Sequence, residues 1–137
     1  GRLVLDRRYL IEEAPEAVRS EVVGLLEATV AATPGLSYSL TDLMAFEPVM
    51  TDPADPVVTA LDHWVESLFG RPPEHIASPG TYDQKHFQRF GAIRSCVAYG
   101  PGILDLAHQP DEWVGIDDMV RSAKVMAAAA LTLTGLA

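Results

Sequence analysis

Proline and glycine mark where the regular elements of this chain begin and end. Ten of each stand among its 137 residues. Pro15 and Pro56 each head a stretch with helical apolar spacing, at the one helical position where a missing N–H costs nothing. Pro34-Gly35, Gly70 with Pro72-Pro73, and Gly100-Pro101-Gly102 close segments. The chain therefore reads as short helices joined by turns and extended pieces. Val18, Val22, Leu25, Leu26 and Thr29 or Val30 predict a helix over 15–32, with Glu12, Glu13 and Glu16 near its positive end. Val57, Leu61, Trp64, Val65 and Leu68 predict a second helix, capped by Asp55 and stopped at Gly70. Tyr82–Phe90 reads as a short third helix. Asp117 is the expected cap of a fourth, with Met119, Ala123, Met126 and Ala130 facing inward.

Between these helices, Arg2–Tyr9 alternates loosely as a strand, with Leu3 and Leu5 on one face. Leu36 to Val49 reads as a second strand. Ile76-Ala77 reads as a short buried strand, and Ile93–Tyr99 as another. Strand–helix–strand in the first half suggests part of a small α+β unit. Strands alternating with helices in the second half imply a parallel sheet with helices on its faces. Taken together, the fold class expected is α/β (α+β).

Charge divides the chain in the same way. Residues 1–70 hold 12 acids and 4 bases, whereas 71–137 hold 7 acids and 6 bases. Residues 70–80 are the expected boundary, separating 1–70 from 71–137. A net charge of −9 argues against nucleic acid and against an anionic membrane surface, both of which need clustered cations. No apolar run reaches the roughly 20 residues of a membrane span. Cys96, the single cysteine, excludes an internal disulfide and reads as a buried reduced thiol, which fits a cytoplasmic protein. The chain opens in what reads as a strand, without an initiator Met or a signal peptide, as if cut from something longer.

Chemistry concentrates in Tyr99–Val114. After the Gly-Pro-Gly turn the chain presents Asp105, His108, Asp111 and Glu112 within eight positions. Pro110 keeps Gln109 out of helix, so His108 and Glu112 are not an i, i+4 helical pair. His108 either projects from the loop as a metal ligand or belongs to a polar loop capping the last helix. In Ser78–Arg89 a turn at Gly80-Thr81 precedes a helix start, where Lys85 and backbone N–H groups either hold a carboxylate or sit in solvent. Arg8, on the first strand, grips a carboxylate or makes a cross-strand ion pair. His63 reads as a surface or interface residue, and His75 has no partner nearby in sequence. No CxxC pair, phosphate-binding Gly-Lys-Ser/Thr or GxSxG elbow is present.

The segment AYGPGILDLAHQPDEWVGIDDMV resembles the C-terminal part of the acetylornithine deacetylase and succinyl-diaminopimelate desuccinylase family of metal-dependent amidohydrolases. GPG followed by AHQPDE resembles the acetylornithine deacetylase branch in particular. SPGTYDQKHF is similar to the family's Gly-Thr-x-Asp-x-Arg-Phe turn, with Lys85 where arginine is usual. LVLDRRYL is similar to the Asp-x-Arg strand of its lid domain. The resemblance implies part of a ferredoxin-like lid or dimerisation domain over 1–70, and the closing part of a mostly parallel α/β catalytic domain over 71–137. It implies a deacylase acting on a small N-acyl amino acid. Two zinc ions serve the complete enzyme, with cobalt or manganese as alternatives of the same ligand type. His108 matches the family's last metal-ligand histidine. Lys85, Arg8 and Thr81 stand at positions for the substrate carboxylate. The family's remaining ligands and general base are expected N-terminal to Gly1, so this segment alone is expected to be inactive. It is also expected to be ordered with that missing part or as a homo-oligomer. The other reading is a non-catalytic dimerisation or interaction module derived from the same family.

Overall fold

A computed structural model of the chain describes residues 1–8, 10–78, 80 and 82–136. These residues divide into two compact units, 1–50 and 51–137. Residue 70, where the charge balance changes, is a helix C-cap inside the second unit.

The first unit is built on one helix, α1 (Pro15–Ala32). Pro15 takes its first turn, and Thr33 ends it just ahead of Gly35, whose φ of 80° leaves the helical path. Val18 is buried, and Val22, Leu26 and Val30, each four residues further on, are half-buried. Leu25, expected on the same stripe, is 64% exposed. The turn before the helix is clipped by charge. Arg7 Nη2 meets Glu13 Oε1 at 2.6 Å, and the Leu10 N–H donates to Glu13 Oε2 at 2.7 Å. Arg19 also donates to Asp42 at 3.0 Å, tying α1 to the extended segment that follows it.

The second unit holds α2 (Pro56–Phe69), α3 (Gln84–Gly91) and α4 (Ile116–Leu133). Asp55 caps α2, its carboxylate accepting from the Val57 N–H at 2.9 Å. Gly70 ends it in the left-handed region, with φ 72°. Helices α2 and α4 pack against each other. Their shared core is Val58, Ala60 and Val65 from α2 with Val125, Ala129 and Ser122 from α4. Trp64 Nε1 donates to Thr132 Oγ1 at 2.9 Å across the pair. The buried face of α4 is thus Ser122-Val125-Ala129, one register from the expected stripe. Met119 and Met126 are exposed. Small residues let the two helices approach, whereas the methionines would hold them apart. The N-cap of α4 is Gly115 rather than Asp117, which with Asp118 lies in the first turn.

The strands are the main correction. No strand occurs among the described residues, and the molecule is helical. The expected strands at 2–9, 36–49, 76–77 and 93–99 are without regular structure over their described residues. The α/β (α+β) class, with its ferredoxin-like lid and parallel sheet, therefore does not describe this structure. The reason is physical. A helix closes its N–H···O=C bonds within its own segment, so α1 and α2 form where local sequence specifies them. A strand exists only as one side of a ladder, and no neighbour supplies the other. Leu3, Val4 and Leu5 are each more than half exposed, so even the two-faced pattern goes unused. At 94–96 the Cys96 N–H turns back to the Arg94 carbonyl at 3.0 Å, a tight turn where a strand was expected. No described helix is long and apolar enough to cross a membrane.

Candidate functional site

The loop 103–112 begins with one turn of 3-10 helix, Leu104–Leu106. The chain then crosses into the left-handed region twice, at His108 (φ 63°) and at Asp111 (φ 61°). Side chains other than glycine pay for that conformation, on the order of 1–2 kcal/mol each. Glu112 holds the loop in place by accepting the His108 N–H at 3.0 Å through Oε2. The Gln109 N–H returns to the Leu106 carbonyl at 3.1 Å, and the Glu112 N–H to the Gln109 carbonyl at 3.3 Å. With its backbone secured, the His108 side chain is exposed, and its ring makes no hydrogen bond among the described residues. Sequence reasoning placed His108 and Glu112 off any common helix, and that is how they lie. It missed that the Glu112 carboxylate serves the His108 backbone.

A metal needs several such ligands, and His108 supplies one. Among the described residues no three His, Cys, Asp or Glu side chains gather closely enough to hold an ion. The residues present do not, by themselves, fit zinc or a related metal.

Lys85 sits in the first turn of α3, its Nζ donating to the Tyr82 carbonyl at 3.3 Å. Asp83 is the N-cap and makes no side-chain cap bond. On the outer side of this helix His86 stacks on Phe90 with centroids 6.0 Å apart, and the Arg89 guanidinium lies 5.3 Å from the Phe90 ring centroid. Arg8 belongs to the first unit, where its Nη2 lies 3.5 Å from Asp6 Oδ2. The neighbouring Arg7 makes the shorter ion pair. Thr81 lies outside the described residues. The structure thus places Lys85 and His108 on different elements of one unit and Arg8 in the other.

His75, which has no partner nearby in sequence, has one in space. Its Nε2 faces both Asp62 carboxylate oxygens, at 2.9 and 3.0 Å. A cleft of about 530 Å³ opens between the end of α2 and the start of α4. The Gly100-Pro101-Gly102 turn, Trp113, Tyr99 and Ser122 line it, and the Ser122 hydroxyl is buried without a partner among the described residues.

Two comparisons with known proteins bear on this chain. The model of the peptidase family M20/M25/M40 matches residues 4–132, nearly the whole chain. The chain belongs to that family. It is 32% identical over 92 residues to the succinyl-diaminopimelate desuccinylase of a Sulfurovum species, covering 66% of this chain and 24% of that protein. It is 30% identical over 78 residues to the succinyl-diaminopimelate desuccinylase of a Nitratiruptor species, covering 57% of this chain and 21% of that one. The matched region thus spans under a quarter of each relative's length. No solved structure matches the chain.

Proposed function

We propose that this M20-family chain is part of an amide hydrolase that removes the acyl group from a small N-acyl amino acid. The observation that carries the reading is the family match over residues 4–132, which includes the loop where His108 is held in a strained backbone with its ring exposed. Sparsely populated backbone conformations of this kind cluster at functional sites. In this reading His108 is one ligand of a metal whose other ligands lie outside these 137 residues, zinc being the first candidate and cobalt or manganese the others. Lys85 supplies positive charge for the substrate carboxylate, with Thr81 and Arg8 as further carboxylate contacts. Lysine acts there as a point charge, without the two-pronged grip of arginine.

Both relatives carry a succinyl-removing activity in their names, and the AHQPDE segment resembles the acetyl-removing branch. The acyl group is therefore the first thing to measure. The full-length protein is assayed with N-acetylornithine and N-succinyl-diaminopimelate, with and without added zinc. Turnover of either supports the reading and selects the acyl group. No turnover of any N-acyl amino acid, in a folded and metal-loaded preparation, contradicts it.

A further inference from the structure

Helix α3 buries none of its residues, and α2 and α4 are the helices that pack against one another. What holds α3 in place is therefore polar. Gln84 Nε2 donates to Thr51 Oγ1 at 3.2 Å and to the Cys96 carbonyl. One turn on, Gln88 Nε2 reaches the Arg94 carbonyl at 3.5 Å. The Thr51 hydroxyl lies 2.6 Å from the Cys96 carbonyl and accepts from the Cys96 N–H at 3.3 Å. A hydroxyl has one proton to give and two lone pairs to fill. Giving its proton to the Cys96 carbonyl or to the Arg94 carbonyl at 3.1 Å, and accepting from Gln84 and the Cys96 N–H, uses all three. Gln84 likewise uses both amide protons here. Ser95 ties the same segment to the start of α2, donating to Asp55 Oδ2 at 2.6 Å.

We infer that Gln84 is a positioning residue, its amide locked against Thr51 and Cys96 so that the first turn of α3 holds Lys85 in one place. The inference rests on the proposed role of Lys85 in reading a substrate carboxylate. Gln84 and Gln88 stand at i and i+4, on one face of the helix. Because no described residue of α3 is fully buried, loss of the amide lets α3 shift, and the neighbouring Lys85 shifts with it.

The test measures KM and kcat of the full-length enzyme for an N-acyl amino acid and for its carboxamide. Gln84→Met keeps length and removes the amide. It should raise KM for the carboxylate substrate roughly tenfold, the scale of a weakened charge-assisted contact. KM for the carboxamide and both kcat values should stay nearly unchanged. Lys85→Ala should give the same split, and the double variant should add nothing to it. Thr51→Val breaks the junction from the other side and should reproduce the split, which keeps the test open if Gln84→Met fails to fold. If Lys85→Ala raises KM equally for both substrates, the reading of Lys85 falls and the positioning claim with it. If Lys85→Ala shows the split and neither Gln84→Met nor Thr51→Val does, the positioning claim alone is overturned.

Discussion

In the proposed reading, His108 is the residue on which the chemistry turns. Its φ of 63° suits glycine better than any branched or β-carbon-bearing residue, though histidine tolerates it more readily than alanine does. Glycine relieves the strain and gives back a similar amount as unfolded-chain entropy, about 0.5–1 kcal/mol. Denaturant unfolding should therefore rank His108→Gly at or above the parent and His108→Ala below both. Both variants falling well below the parent by similar amounts would show that the imidazole makes stabilising contacts and is not held out for another purpose. Glu112 belongs to the same account. Its spacing from His108 was visible in the sequence, but its role as acceptor for the His108 N–H depends on a reversal of the backbone that no residue pattern announces. Gln84 was overlooked for a different reason: an i, i+4 pair of amides marks a polar face without saying what lies opposite.

Among the elements, the helices were legible and the extended segments were not. Pro15, Asp55, Pro56 and Gly70 mark helix ends by local chemistry, and α1 and α2 begin and end where they predict. Periodicity located the buried face of α4 less well, because methionine and alanine at alternate positions fit either register and the smaller set won. That packing can be tested at Val125, which is wholly buried between α2 and α4. Val125→Ala removes two buried methyl groups and should cost about 2 kcal/mol in denaturant unfolding. A cost under about 0.5 kcal/mol, the surface value, would mean that the two helices do not share this core. The entry to α1 has a pH signature. The Arg7 guanidinium, helped by the Leu10 N–H, holds the Glu13 carboxyl below its ordinary value of 4.5, and Arg7 is raised in turn. A carboxyl lowered on folding stabilises the fold above its ordinary pKa, and that contribution is lost as pH falls through the lowered one. The matching contribution of Arg7, whose guanidinium is raised beside Glu13, is lost only far above neutral pH. Amide protection factors around residues 10–18, which take out the intrinsic pH dependence of exchange, should thus fall on acidification below pH 4.5, and Glu13→Gln should show the lower protection already at neutral pH. Glu13 titrating at its ordinary value in an NMR experiment would remove the basis for this.

At the scale of the whole molecule, surface is the governing quantity. Leu3, Leu43, Met44, Trp113 and Ile116 are all more than half exposed. An α/β reading was drawn from segments with strand-like composition, and composition cannot supply the ladder partner that makes a strand. The isolated 137-residue chain should bind a hydrophobic dye strongly and sediment above its 14.8 kDa monomer mass. A dye-silent monomer that unfolds cooperatively would contradict that expectation. The central claim is that His108 is one ligand of a metal completed from outside this segment. The measurement that tests it most directly is the metal content per protomer of the full-length His108→Ala protein beside the parent. The account predicts that the variant keeps its helical signal and loses bound metal. Full metal occupancy in the variant would contradict it.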